Sequence, residues 1–225
     1  MREIALDTET TGLDPFEGHR VVEIGCVEMV NRVRTGNFFH TYLNPERSVP
    51  PEAFRVHGIS QEFLKDKPLF DGVASGFLEF IGESPLVIHN AVFDLRFINY
   101  ELDKVGKAPL DDRRAVDTLK IARFKFPGSP ASLDALCKRF KIDLSRREKH
   151  GALLDAELLA DVYLELLGGS QESLNLHKNH ANNYLKKEEK TVKIMEIRSH
   201  IADTEELQAH DGFLKAKIKN AIWNG

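Results

Sequence analysis

Cysteine is scarce: Cys26 and Cys137 are the only two in a chain of 225 residues. Two thiols so far apart make no zinc cluster. Both sit in apolar segments, so they are expected to be buried free thiols of a reducing, bacterial cytoplasm. Long hydrophobic runs are missing too. No stretch approaches the roughly 20 apolar residues that a membrane span needs. Arg2, Glu3 and Asp7 interrupt the place where a secretion signal would carry its apolar run. Nor is one sign of charge in large excess. A net charge of −4 excludes a strongly basic protein that coats long duplexes. The small acidic surplus lies forward: residues 1–168 carry 22 Lys+Arg against 27 Asp+Glu, and residues 169–225 carry 9 against 8. That suits a metal site and an ordinary acidic surface equally well. The 42% hydrophobic content is that of a globular chain, long enough for one packed domain and an appendage.

What is present begins with REIALDTETTG. Glu3 to Leu6 read as the start of a buried strand, and Asp7 and Glu9 then arrive two residues apart. Residues i and i+2 of a strand face the same way. Two carboxylates held side by side repel and are costly to bury, and a divalent cation would offset that cost.

The hydrophobic pattern supplies the frame. Residues 2–7, VVEIGCVEMV (21–30) and GNFFHTYLN (36–44) read as three strands, the last two an antiparallel hairpin across the polar NRVRT. PPEAFRVHGIS (50–60) opens a short helix on a proline pair and closes it at Gly58. FDGVASGFLEFIGE (70–83) has helical spacing. PLVIHN (85–90) is a short buried strand running into the helix AVFDLRFINYELDKVG, and AVDTLKIARFKF passes from strand to helix. Ser132 is placed to cap ASLDALCKRF. GALLDAELLADVYLELLGG (151–169) is a strongly periodic helix ended by two glycines. Strands first, then alternating helices and strands, predict an α/β domain on a mixed five-stranded sheet flanked by helices. It should span 1–168, followed by a flexible polar linker (169–190) and a tail (191–225). In the tail, Asp203 and Glu206 predict a capping box, and Leu207, Leu214, Ile218 and Ile222 share one helical face. Such a face is expected to meet a partner or to fold back onto the main domain.

Two further carboxylates lie at element ends. Asp94 is in the first turn after the strand PLVIHN, and Asp155 is in the first turn of the last long helix, five residues after His150. Five residues are about 500° of helix, so the two converge only if His150 lies in the loop before it, with Gly151 permitting a sharp entry. There His150 would be mobile and exposed, as a general base should be. Four carboxylates from three segments suffice for a pair of hard cations, Mg²⁺ or Mn²⁺. Two ions about 3.5–4 Å apart activate water and stabilise the leaving oxygen of a phosphodiester. An imidazole titrates near neutral pH and would take the water's proton. The predicted reaction is phosphodiester hydrolysis.

The segments LDTETTGLD, HNAVFDLRFI and HGALLDA resemble the three motifs of the DEDDh 3′–5′ exonucleases, over roughly residues 1–168. The resemblance implies an RNase H-like fold and release of nucleoside monophosphates. It implies that Asp7 bridges two metals, that Glu9 and Asp155 complete one site, that Asp94 holds the other, and that His150 is the catalytic histidine. Within the family the chain is most similar to proofreading subunits of bacterial replicative DNA polymerases, which work in the replisome on the nucleoid. PPEAFRVHGISQEFLKDKP then looks like the segment gripping a frayed or single-stranded DNA 3′ end, with Glu52, Val56, His57, Phe93 and Thr10 around the terminal nucleotide. Apolar walls can stack on an unpaired base without reading it. A pocket for unstacked ends favours mismatched termini.

The tail resembles the same subunits. ADTEELQAH and Trp223 are similar to their region for the polymerase catalytic (alpha) subunit, and SQESLNL looks like a sliding-clamp peptide anchored by Gln171, Leu174 and Leu176. Two other functions share these features: an RNA-processing exonuclease, because carboxylates do not tell DNA from RNA, and an assembly module with a vestigial site. For His57 and His89 an ordinary hydrogen-bonded histidine stands beside a site role. Asp117 is read as structural. In SRREK (145–149), Arg146 and Arg147 are either solvated or steer the phosphate backbone.

Overall fold

The structure is a computed structural model that describes residues 1–145, 147, 149–169 and 202–217. Strand β1 (Arg2–Thr10) is apolar in both directions at its start because both of its faces are covered: Ile4 and Leu6 enter one core, Ala5 another. A strand buried on both faces belongs inside a sheet. It pairs antiparallel with β2 (Val21–Val30), which pairs antiparallel with β3 (Val33–Tyr42). On its other side lies β4 (Leu86–Ile88) in parallel, then β5 (Ala115–Asp117) in parallel. The order is β3-β2-β1-β4-β5, the mixed five-stranded sheet expected.

Along the chain the helices are α1 (Pro51–His57), α2 (Gln61–Leu64), α3 (Phe70–Ile81), α4 (Ala91–Lys104), α5 (Thr118–Lys125), α6 (Leu133–Phe140), α7 (Ala152–Leu166) and α8 (Thr204–Lys217). Phe70, Phe77 and Ile81 of α3 and Leu95, Phe97, Ile98 and Leu102 of α4 cover one face of the sheet. Ala122 of α5, Leu133 and Leu136 of α6, and Leu159, Val162 and Leu166 of α7 cover the other. Cys26 and Cys137 are buried and free, one in each core. Helix ends follow local chemistry. Gly58 closes α1 at φ 73°, and Ser132 accepts the Ala135 N–H at the start of α6. Asp117 accepts from the N–H groups of Leu119 and Lys120, so its role is structural as read.

The hairpin departs from expectation. Strand β3 starts at Val33, inside the segment read as a polar connection, and ends at Tyr42. The turn is only Asn31 and Arg32, both at positive φ (51° and 68°), as in the tight turns that match strand twist. β3 is an edge strand exposed through Phe38, so no apolar pattern marks its beginning.

The chain divides into two units, Met1–Leu174 and Asn175–Gly225. In the second, Asp203 accepts from the Glu205 and Glu206 N–H groups while Glu206 accepts from the Asp203 N–H, the capping box predicted for α8. Of the expected apolar face, Leu214 is buried and Leu207 exposed; Ile218 and Ile222 lie outside the described residues. The linker beyond Gly169, with Gln171, Leu174 and Leu176, and Trp223 of the tail lie outside them as well.

Candidate active site

Three chain segments converge at the C-terminal end of β1. Asp7 and Glu9 project from that strand. Because β4 runs parallel to β1, the turn after it emerges at the same end, where Asn90 at φ 71° redirects the chain into α4. Asp94 follows one turn later, and its Oδ1 accepts from the Thr8 N–H at 3.0 Å and the Thr8 hydroxyl at 2.7 Å. The third segment is the start of α7. Gly25 stands opposite Asp7 in the neighbouring strand, and a Cβ there would lie 2.3 Å from the Ala152 carbonyl carbon. That gap lets α7 approach closely enough for Asp155 to reach the cluster. Glu23, opposite Glu9, accepts the Ala152 N–H at 3.1 Å and pairs with His40 at 2.7 Å, so a side chain from β2 caps α7.

Among the described residues, ligand atoms of Glu9, His150 and Asp155 lie within 4.8 Å of one another. His150 precedes the helix and is half-exposed, as its spacing required, with Nδ1 3.2 Å from Asp155 Oδ2. Its backbone N–H donates to Val56 O at 3.3 Å. Gly151 does not make a special turn: at φ −159° it is extended, a conformation open to any residue.

The electrostatics record crowding. Burial, then the charges of Asp94, Glu9, Asp155 and Glu23, hold the Asp7 carboxyl well above the usual range. Burial and the same neighbouring acids push Glu9 up to about 8. Burial lifts Asp94 to about 7 against the hydrogen bonds from Thr8. At Asp155, burial pushes up, but His150 and the Arg147 guanidinium outweigh it and hold the carboxyl below its ordinary value. Hard oxygen donors with unrelieved mutual repulsion are the donor set that Mg²⁺ or Mn²⁺ requires, so these residues fit a divalent metal.

Beside the cluster a cavity of about 500 Å³ is lined by Glu9, Thr10, Glu52, Val56, His57 and Phe93. Asp7 and Asp155 line a second one, of about 560 Å³, together with His89, Asn90, Arg147 and His150. His57 is buried; its Nδ1 accepts the Ile59 N–H at 3.0 Å, which puts the ring proton on Nε2, an atom with no hydrogen-bond partner. His89 Nδ1 meets the Thr118 hydroxyl at 2.9 Å, and its burial lowers the ring's pKa.

One expectation fails. Arg147 does not present itself to a phosphate backbone: its guanidinium is turned inward, 8% exposed, onto Asp155 and Asp134. There it makes short, bidentate, charge-assisted hydrogen bonds to the buried Asp155 carboxylate. Arg146 lies outside the described residues. Glu23 is absent from the carboxylates that element ends pick out, and its signal in the sequence is that of a lone acid inside the apolar run VVEIGCV.

Residues 4–163 match the family model described as "Exonuclease". A "DNA polymerase III subunit epsilon" of Rickettsia felis is 54% identical over 98% of this chain and 99% of its own length. The chain belongs to the DNA polymerase III epsilon family of exonucleases. The protein of that name in Escherichia coli is 46% identical over 99% of this chain and 97% of its own length. Exonuclease X, solved with 5′-overhanging duplex DNA, superposes with a TM-score of 0.59 at 28% identity, covering 74% of this chain and 90% of that one. The nuclease domain of 3′hExo, a DEDDh family member bound to rAMP, shares the fold at 17% identity and a TM-score of 0.64, covering 74% and 91%. The motif resemblance is thus borne out at the level of family. The chain is a 3′–5′ exonuclease acting on DNA, on an RNase H-like fold, and its family depends on divalent metal. No helix among the described residues is long and apolar enough to cross a membrane.

Proposed function

We propose that this exonuclease is a proofreading subunit that removes the 3′-terminal nucleotide of DNA with two cations, Mg²⁺ or Mn²⁺, held by Asp7, Glu9, Asp94 and Asp155. The observation that carries this reading is that Glu9 and Asp155 bring ligand atoms within 4.8 Å of one another, beside His150, while the charges of Asp94, Glu9 and Asp155 all act on Asp7, with Glu9, Asp94 and Asp155 buried. Bound cations there supply a more acidic water and a stabilised leaving oxygen. The chain's own residues do the rest. Thr8 fixes the rotamer of Asp94 through two hydrogen bonds. His150, half-exposed at the mouth of the site, removes the proton of the attacking water at an imidazole nitrogen. Val56 and Phe93 offer apolar surface to the terminal base. The unpartnered Nε2–H of His57 is a nearby donor for its sugar and phosphate; the Thr10 hydroxyl, whose proton goes to the Gly12 carbonyl at 2.6 Å, lines the cavity as an acceptor, and Glu52 stands exposed at the rim. A cavity that accepts one unstacked nucleotide prefers ends that fray, and hence mismatches.

The same reading makes 1–168 the nuclease domain, 169–190 a linker and 191–225 a tail for the polymerase catalytic (alpha) subunit, with Trp223 in that contact. Gln171, Leu174 and Leu176 serve as anchors for a sliding clamp. The setting is the bacterial cytoplasm. The test is hydrolysis of a 3′-mismatched DNA primer with Mn²⁺ and with EDTA, beside a matched RNA of the same sequence. Metal-dependent release of nucleoside monophosphates, faster from the mismatched DNA, is expected. Activity in EDTA, or preference for the RNA, would overturn the proposal.

A further inference from the structure

Arg147 holds both oxygens of Asp155 at once, Nε on Oδ1 at 2.6 Å and Nη2 on Oδ2 at 2.7 Å. The same Nη2 lies 2.8 Å from Nδ1 of His150, and Nη1 meets Asp134 of α6. Such a fork uses the two lone pairs that face each other across a carboxylate. A small cation that binds one of these oxygens at about 2.0–2.1 Å competes for one of the same inward-facing lone pairs. The guanidinium and a divalent ion are therefore rivals for Asp155, and their charges repel at this range. The geometry also provides an alternative place for the arginine. Asp134 lies at the far side of the guanidinium from Asp155, with a side chain 48% exposed, while Asp155 is buried.

We infer that Arg147 is the built-in counter-ion of the metal-free site: it clasps Asp155 until a divalent cation arrives, then gives up that carboxylate and stays with Asp134. This rests on the reading of Asp155 as a metal ligand. Metal uptake and the swing of Arg147 then form one linked step, and His150 loses its guanidinium neighbour in the same step, leaving Nδ1 beside Asp155. Without metal, Arg147 offsets part of the repulsion in the cluster, since its charge acts on Asp7, Glu9 and Asp155 together. Affinity for metal is sacrificed for integrity of the empty site.

The experiment is calorimetric titration of the full chain with Mn²⁺ at fixed ionic strength, with thermal melts in EDTA, for wild type, Arg147→Gln and Arg147→Lys. Arg147→Gln should bind Mn²⁺ about tenfold more tightly, the change expected when a competing pair of charge-assisted hydrogen bonds is removed. It should also melt at a lower temperature than wild type in EDTA. Arg147→Lys keeps the charge but cannot grip two oxygens, so its affinity should fall between the two, and it decides the matter if the glutamine variant does not fold. Unchanged or weaker Mn²⁺ binding in the folded variants would overturn the inference, because Arg147 would then be orienting Asp155 for the ion. If wild type itself bound no Mn²⁺, the metal reading of the site would fail first, and this inference with it.

Discussion

Glu9 and Asp94 retain protons, in the absence of metal, at pH values where carboxylates are ordinarily bare, near 8 and 7 respectively. Their unfolded-state values are the usual ones, so the folded chain binds more protons through the interval between, and its stability falls as pH rises across it. His57 and His89, whose burial lowers their pKa values, work in the opposite sense up to about pH 6.5. The decline is therefore cleanest from there to pH 8. In EDTA the melting temperature should drop over that interval, with each titrating acid contributing at most about 1.4 kcal/mol per pH unit, and saturating Mn²⁺ should abolish the drop. A melting temperature that rises with pH in EDTA would contradict this origin of the shifts. Asp7→Asn tests the same crowding: it removes one of the repelling charges, so the variant should melt higher than wild type in EDTA. Its hydrolysis should fall by more than the about 10–100-fold that indirect metal-site partners cost. His150→Ala should separate differently, lowering kcat by about 10²–10⁴-fold while Mn²⁺ affinity, read by titration, stays within a few-fold of wild type. That Asp7, Glu9, Asp94, His150 and Asp155 fall at strand and helix ends is legible in the sequence, because such spacing is local information. The inward turn of Arg147, in the connection before α7, is not, since it depends on Asp134, thirteen residues earlier on α6.

Elements bring these residues together, and the closest fit is between β2 and α7. A methyl group at Gly25 would meet the Ala152 backbone, which has no flexible end to yield. Gly25→Ala should therefore push α7 away from the sheet and cost about 1–3 kcal/mol, the usual range for overpacking. Because α7 carries Asp155, the variant should lose Mn²⁺ affinity as well as stability, measurable by titration and thermal melt. Stability lost with metal affinity intact would mean that the strand yields and the helix does not. The long periodic helices and the central strands could be read from the sequence because burial imprints a period on them. α2 is four residues long, too short to show a period. β3 began where Arg32, Val33 and Arg34 suggested a loop, because an edge strand exposed on both faces needs only backbone pairing there. The glycine in VVEIGCVEMV carried no visible message, since the reason for it lies across the sheet at residue 152.

For the whole molecule, the two units predict separable functions. A chain ending at residue 169 keeps β1 to β5, both cores and every residue of the proposed metal site. It should hydrolyse the mismatched primer within about threefold of the full chain and no longer capture a polymerase catalytic subunit in a pull-down. Loss of both would make the tail part of the nuclease. The contrast between periodic and polar stretches is legible in the sequence, whereas a partner surface leaves no such period. The central claim is that acids from β1, α4 and α7 gather to hold paired cations. The most direct measurement is anomalous scattering from a crystal soaked in Mn²⁺. Two peaks among Asp7, Glu9, Asp94 and Asp155 are predicted; a well-ordered site without anomalous density, or a single peak away from these carboxylates, would contradict the account.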